Sequence, residues 1–420
     1  MEHAPSVGRV FFPLDKELAL LPGNLAPRQH EHLVHLACFM PFAKASALLT
    51  RLLGVQVGEE TVRRLTEQAG RQVEEAQTQA ASAPWQEKTV KMVPQARLAM
   101  SADGAYVPLV KGEWAEVRTL AIGQVKRSGA SGSKSEVRTH DLSYFSRMTS
   151  AERFIELAEV ETRRRRLVQA QEVCAVMDGA GWLQGLVDVH RPDAVRILDF
   201  PHAAEHITLL LQALQQAGMS LPADLLPRLL HHLKHRGPRA LMRLANHLPL
   251  HLTQVQGVRE HLSYLQKREE LMDYPQFRKQ GWPIGSGSVE SANKLVVEAR
   301  LKGAGMHWQR RNVNPMLALR NAVCNERWLE MWQTGITHLL QQQQLRRTKL
   351  AQLRRERALA LSDPRLLTSP PLPPQPPALP PTPSSPSAPA ATLPGSCRPS
   401  AHHPWKRGPA CSPKKTFATI

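Results

Sequence analysis

Apolar residues recur along this chain with different periods, and each change of period marks a new part. From Arg28 to about Gln79 the spacing is helical. PFAKASALLTRLLG reads as one helix ending at Gly54, and a second starts near Glu59 with Val62, Leu65 and Ala69 on one side. Residues 80–96 are polar and read as a linker. At Ala96 the period becomes two: ARLAMSADGAYVPL and EWAEVRTLAIGQV predict strands joined by a Lys111-Gly112 turn. RSGASGSKSE (127–136) predicts a flexible loop, VRTHDLSYF a third strand, and 150–171 a helix whose run Arg163 to Arg166 reads as a solvated face.

VCAVMDGAGW is apolar on both faces, as expected of a central strand under helices, and AVRILDF repeats the pattern. A helix from His202 to about Gly218 follows, then a helical, His-rich stretch from Ser220 to about Tyr274. In WPIGSGSVESANKLVVEARLKGAGMHW, Pro283, Gly285 and Gly287 break the chain. Ser288 is the expected N-cap, and Val289, Ala292, Val296 and Ala299 form an apolar stripe. Helix resumes over 312–357 and ends in a basic run. From Ser362 the chain is rich in Pro, Ser and Ala and cannot build a core.

These elements predict an α/β protein organised in seven parts. They are an irregular arm (1–27), a helical region (28–80), a first core part (96–219), a helical insertion (220–280), a second core part (281–335), a basic helix (336–361) and a disordered Pro-rich tail (362–420). Charge narrows the partner. Lys and Arg total 54 against 36 Asp and Glu, a formal charge of +18, which points to a polyanion. No apolar run reaches the ~18 residues of a membrane span, and no signal-peptide core is present. Five scattered cysteines without a C-x-x-C pair predict a reduced protein with neither a disulfide frame nor a cysteine zinc site.

Three acids stand at structural breaks: Asp103 after the first strand run, Asp178 after a central strand, and Glu290 in the first turn of a helix. Strand-end carboxylates that converge on one rim repel each other unless divalent cations neutralise them. Two magnesium ions could then hold the attacking and leaving oxygens of a phosphodiester. The bland alternative has Glu290 complementing the helix dipole and pairing with Lys294 at i+4. His231 and His235 have an i, i+4 zinc spacing without a further ligand nearby. The turn between the first two helices, with Arg63 and Arg64 on the second, is compatible with a helix-turn-helix.

SADGAYVPL with GEWAEVRTLAIG, VMDGAGW, ILDFPHAAEH, GWPIGSGSVESANKLVVEARLKGAGMHW and LALRNAVCNERW, in this order over roughly residues 10–335, resemble the ISKra-type insertion-sequence transposases of the DDE class. The resemblance implies a ribonuclease-H-like mixed sheet with an all-helical insertion before the last acid. Asp103, Asp178 and Glu290 then occupy the positions of the metal-binding triad. Asp199-Phe-Pro-His202 resembles the Asp/Cys-x-x-His element of Mutator-like relatives and supports the site. The implied cofactor is a pair of Mg2+ ions, with Mn2+ as substitute. The implied partner is double-stranded DNA, at element ends and target, bound by a homo-oligomer in the bacterial cytoplasm.

The reaction so implied is strand cleavage by water, then attack of the freed 3′-hydroxyl on a target phosphodiester, with no covalent protein intermediate. Lys294, Arg300, Lys302, Arg310 and Arg311 would neutralise phosphates, and Trp308 would stack on a base or pack in the core. Relatives commonly carry a cysteine-containing segment ahead of the FFPLD region, which this chain lacks, so a missing N-terminal part is expected. The Pro-rich tail looks foreign to the family, as after a frameshift or fusion. Two other readings stay open: a catalytically silent DNA-binding derivative, and a ribonuclease-H-like nuclease without strand transfer.

Overall fold

The structure is a computed structural model that describes residues 25–83, 97–128 and 136–361. The arm up to residue 24, most of the expected linker, the centre of the 127–136 loop and the Pro-rich tail lie outside these residues. The alternation from Arg97 onward builds a five-stranded mixed sheet of order β3-β2-β1-β4-β5. Its strands are β1 (Arg97–Pro108), β2 (Trp114–Ser128), β3 (Glu136–Arg147), β4 (Glu172–Met177) and β5 (Val195–Leu198). β1, β2 and β3 pair antiparallel as consecutive strands. β4 lies parallel to β1, and β5 parallel to β4. The β1–β2 connection is the expected Lys111-Gly112 turn, with both residues at positive φ.

Helices precede, interrupt and follow the sheet. α1 (Pro27–Ala37), α2 (Phe42–Leu53) and α3 (Glu59–Ser82) come first, and α2 ends at Gly54 in the left-handed conformation, as expected. α4 (Ala151–Arg164) leads to β4, α5 (Gly181–His190) crosses from β4 to β5, and α6 (Phe200–Gln216) follows β5. The insertion comprises α7 (Leu225–Arg236), α8 (Arg239–Asn246), α9 (Leu250–Thr253), α10 (Gln256–Gln266) and α11 (Tyr274–Gln280). After it, α12 (Gly287–Ala292) runs through a π turn (Asn293–Glu298) into the short α13 (Ala299–Leu301), and α14 (Arg310–Cys324) and α15 (Trp328–Leu361) complete the order. The chain divides into two compact units, 1–352 and 353–420; the described part of the second, 353–361, is helical.

Both faces of the sheet are covered. On one face Leu98, Met100, Ala102, Val173 and Met177 meet Phe154, Leu157 and Ala158 of α4 and Leu183, Leu186 and Val187 of α5. The other face carries two apolar clusters. Ala99, Cys174, Val176 and Ile197 pack under α6 and the insertion. Ala105, Val107, Ala115 and Val117 pack under Val289, Ala292, Val296, Val313 and Leu317. Between them, on the same face of β1, stand Ser101 and Asp103. The sheet therefore has a polar seam where the two covers meet.

Several expectations change. Asp103 is not at a strand end: β1 continues to Pro108, because Ala105 and Val107 still have a cover to pack against. β5 is an edge strand despite its apolar sequence, since α6 and the insertion shield it. Helix α12 begins at Gly287 after Ser286, so Ser288 lies inside it and caps nothing. The Arg163–Arg166 run is not merely solvated: Arg163 pairs with Glu159, Arg164 with Glu330, and the buried Arg165 with Asp141 at 3.0 Å. No helix among the described residues is long and apolar enough to cross a membrane.

The N-terminal helices are built into the body, with Leu33, Leu49, Val62 and Leu65 in one cluster with Ala318 and Leu319 of α14. Gly70 of α3 meets α14 so closely that an added Cβ would lie 2.5 Å from the Pro315 carbonyl oxygen. Gly70→Ala is therefore expected to lower stability by roughly 1–3 kcal/mol, as overpacking does. Gly185→Ala, whose Cβ would meet only Ile155 Cδ1 at 3.4 Å, should be neutral or slightly stabilising. Thermal unfolding of both variants checks this, and equal melting temperatures would contradict it.

Candidate active site

Strand register brings the acids together. β1 and β4 pair from Arg97↔Glu172 to Met100↔Ala175, and continuing by three residues puts Asp103 opposite Asp178. β4 and β5 pair up to Met177↔Leu198, so the next residues are Asp178 and Asp199. Residues aligned across parallel strands share a face, and neighbouring strands lie ~4.8 Å apart. Extended in this way, the register puts Asp103 of β1 in one row with Asp178 and Asp199, the residues that directly follow β4 and β5. They are far apart in sequence, yet one register sets them side by side.

Asp103 is half-buried. Its Oδ1 accepts from the Gly104 amide at 2.7 Å, and its Oδ2 from Nδ2 of Asn293 at 3.1 Å. Burial pushes its carboxyl above the usual range. The negative charges of Asp178 and Glu290 push it the same way, while the Gly104 amide and His202 pull it back. Glu290 therefore reaches the same electrostatic field from α12, where it is exposed. Asn293 opens the π turn one helical turn later and is buried, with its Oδ1 lacking a hydrogen-bond partner. The ion pair between Glu290 and Lys294 that the bland alternative would have is absent among the described residues, which leaves the Glu290 carboxylate open.

The Asp178 loop is held from the insertion. Asp178 Oδ1 accepts from the Ala180 amide at 2.8 Å. The Tyr264 hydroxyl of α10 donates to the Asp178 carbonyl, and Arg268 donates twice to the Gly179 carbonyl, at 2.7 and 3.2 Å. Arg268 lies 3.8 Å from the centre of the Tyr264 ring, and His206 stacks on Tyr264 at 3.6 Å. Burial pushes the Tyr264 hydroxyl up to about 12, so it remains a donor. Burial, then the charges of His202 and His261, lower His206 to about 4, so it stacks as the neutral ring. Gly179 has φ +81°, and a Cβ there would run into Arg268, so this position requires glycine.

Asp199 supports the site structurally. It is buried, accepts from the Ser286 amide at 2.7 Å, and caps α6 by accepting from the His202 amide at 3.2 Å. It thereby ties the strand row to the segment that leads into Glu290. The His202 side chain is half-buried, with Nδ1 3.7 Å from Glu205. Tyr264, Arg268, Asn293 and Ser286 complete this site, and no motif in the sequence singles them out.

The acids suit a hard divalent cation: their donors are all oxygen, half-buried or open, and mutually repelling. Among the described residues no three His, Cys, Asp or Glu side chains are grouped so that they could hold a metal ion. Magnesium does not need such a group, since it is held by one or two carboxylates with waters and substrate phosphates completing its shell.

The cations divide. Arg300 is buried, donates to the Ala37 carbonyl at 2.7 Å and lies over the Phe42 and Trp308 rings, so it is a core strut and not a phosphate contact. On a regular helix it would fall about 20° from Val289, beside the apolar stripe. Arg63 is engaged by Glu60 and by Glu67 at 2.7 Å, whereas Arg64 is exposed. Lys302 pairs with Glu298 at 2.7 Å, and Arg310 with Glu113 at 3.5 Å. Arg311 donates to Gln309, and Lys294 is exposed. Trp308 packs in the core. His231 and His235 have ring centroids 4.6 Å apart but belong to no metal-holding group among the described residues.

No protein-family model matches the chain, and a search of the curated proteins finds no match.

The raised Asp103 pKa has a consequence for stability. The folded state holds this proton more tightly than the unfolded chain does, so Asp103 favours folding at pH below its ordinary range and loses that contribution as it ionises. Asp103→Asn is expected to raise the melting temperature at pH 7, with the gain fading below about pH 4. Thermal unfolding at the two pH values checks this; an unchanged or lower melting temperature at pH 7 would show that Asp103 is not under electrostatic strain.

Proposed function

We propose that this protein is a metal-dependent DNA transposase of the DDE class on a ribonuclease-H-like core. The observation that carries the reading is that Asp103 of β1 feels the charges of both Asp178, the residue just past the end of β4, and Glu290 of α12. Three further features support it. The strand order 3-2-1-4-5, with an antiparallel meander and two parallel strands, is compatible with the ribonuclease-H-like sheet that the resemblance implies. An all-helical insertion separates the second acid from the third. The formal charge of +18 suits a polyanionic substrate.

Asp103 and Asp178 would hold Mg2+ or Mn2+, with Glu290 supplied from α12. Such an ion, when bound, lowers the pKa of a water and offsets charge building on the phosphoryl oxygens. The chain's own task is positional. Asn293 orients the Asp103 carboxylate, and the Gly104 and Ala180 amides fix one oxygen of each aspartate. Tyr264 and Arg268 hold the Asp178 main chain, and Asp199 fixes the segment that precedes Glu290. No serine or tyrosine nucleophile is required. Two observations favour a second reading, a DNA-binding derivative without catalysis: Glu290 is exposed, and among the described residues no three acids are grouped so that they could hold a metal ion.

Asp178→Asn separates the two. It is expected to leave binding of DNA carrying the element ends within about twofold and to reduce magnesium-dependent nicking by at least ~10³-fold. That loss is of the order found when a single group that stabilises transition-state charge is removed. Gel assays of binding and nicking check it. Nicking that survives would remove Asp178 from the chemistry, and a wild-type protein that binds without nicking would establish the silent reading.

A further inference from the structure

The insertion carries a charge pattern that the acid site does not use. From Leu225 to Arg259 the sequence holds six Arg or Lys and five His but no Asp or Glu. The structure turns much of this charge outward. On α8, Arg239 and Arg243 are exposed at i, i+4, with exposed His247 continuing the row, while Leu241, Met242 and Ala245 are buried behind them. On α7, Arg228, His231, His235 and Arg236 are exposed, with Leu229 and Leu233 buried. Arg228 pairs with Asp224 at 3.2 Å. Among the described residues Arg236, Arg239, Arg243 and Arg259 have no ion pair. Arg278 of α11 adds a further cation, 3.4 Å from Nδ1 of His235.

A solvated helix face ordinarily mixes both signs, because like charges at i, i+4 destabilise a helix. Here two successive helices expose cations with no intervening acid. They meet at Gly237, whose φ of +81° makes the turn between them. At 1.5 Å per residue the helices measure about 18 and 12 Å, long enough to follow several successive backbone phosphates. The same insertion reaches the acid row through Tyr264 and Arg268.

We propose that the exposed basic face of α7 and α8 binds the phosphate backbone of duplex DNA. Phosphate contacts by Arg carry no sequence information, so the face positions a duplex and does not select a site. The proposal deepens the functional reading above, but a binding measurement alone tests it.

The test compares the full chain with Arg236→Glu/Arg239→Glu/Arg243→Glu and with the milder Arg236→Gln/Arg239→Gln/Arg243→Gln. All three positions are exposed, and unchanged thermal unfolding verifies the fold. Binding to a 30-bp duplex of arbitrary sequence is measured across a salt series. The glutamate variant should bind at least tenfold more weakly. Its slope of log K against log salt should be shallower by about 2.7, at about 0.9 per lost phosphate contact. The glutamine variant should show the same loss of slope with a smaller loss of affinity. Wild-type affinity and slope in both folded variants would overturn the proposal, as would tighter wild-type binding of polyglutamate than of duplex DNA at equal charge. A wild-type protein that binds through this face but does not nick DNA would leave the surface standing and remove the catalytic reading. Nicking by the wild type with unaltered binding in both variants would do the reverse.

Discussion

The arrangement of this protein turns on the partial burial of the Asp103 carboxylate in a seam of the sheet's cover, with the charge of Asp178 close by. Parallel pairing of β1 with β4 sets these two carboxylates side by side on one face of the sheet, half-buried, where mutual repulsion is screened less than at an open surface. A fold selected for stability alone would place apolar residues there, as it does two and four residues further along β1 at Ala105 and Val107. Here the apolar cover divides instead, and the acids lie in the seam between its halves. The Asn293 amide and the Gly104 and Ala180 main-chain amides relieve part of the strain. The remainder is what a divalent cation would neutralise.

The helical insertion is part of this construction and not an appendage. Its apolar residues form one cluster with the sheet face under β4 and β5. Tyr264 of α10 and Arg268 just after it hold the Asp178–Gly179 main chain. The insertion is therefore hydrogen-bonded directly to the loop that carries one of the acids. A duplex seated on α7 and α8 would be connected to the site through packed helices and a few hydrogen bonds.

How much of this was legible in the sequence depended on whether the cause was local. The continuous apolar runs before Asp178 and Asp199 announced buried strands, the Lys111-Gly112 turn announced a hairpin, and Gly54 announced a helix end. Asp103 was found as a candidate, but as a strand end, because a charged residue in a strand reads as a boundary until its cover is known. Helix α5 escaped notice because Gly181 and Gly185 weaken its helical signal. Arg300 reads as a surface cation in the sequence because its charge outweighs its place beside the apolar stripe. Asn293, Tyr264 and Arg268 act only across the fold, so nothing near them in sequence marks their role. The register that aligns the acids is likewise a tertiary fact, absent from any single stretch. The proposed reaction rests on resemblance and chemistry; the placement of the acids rests on the sheet.

Crystals of the protein soaked in Mn2+ and measured at the manganese absorption edge test the central claim most directly. The account predicts an anomalous peak between the Asp103 and Asp178 carboxylates, on the side facing Glu290, and its loss in Asp178→Asn. Manganese bound elsewhere, with the aspartate row empty at saturating Mn2+, would contradict it.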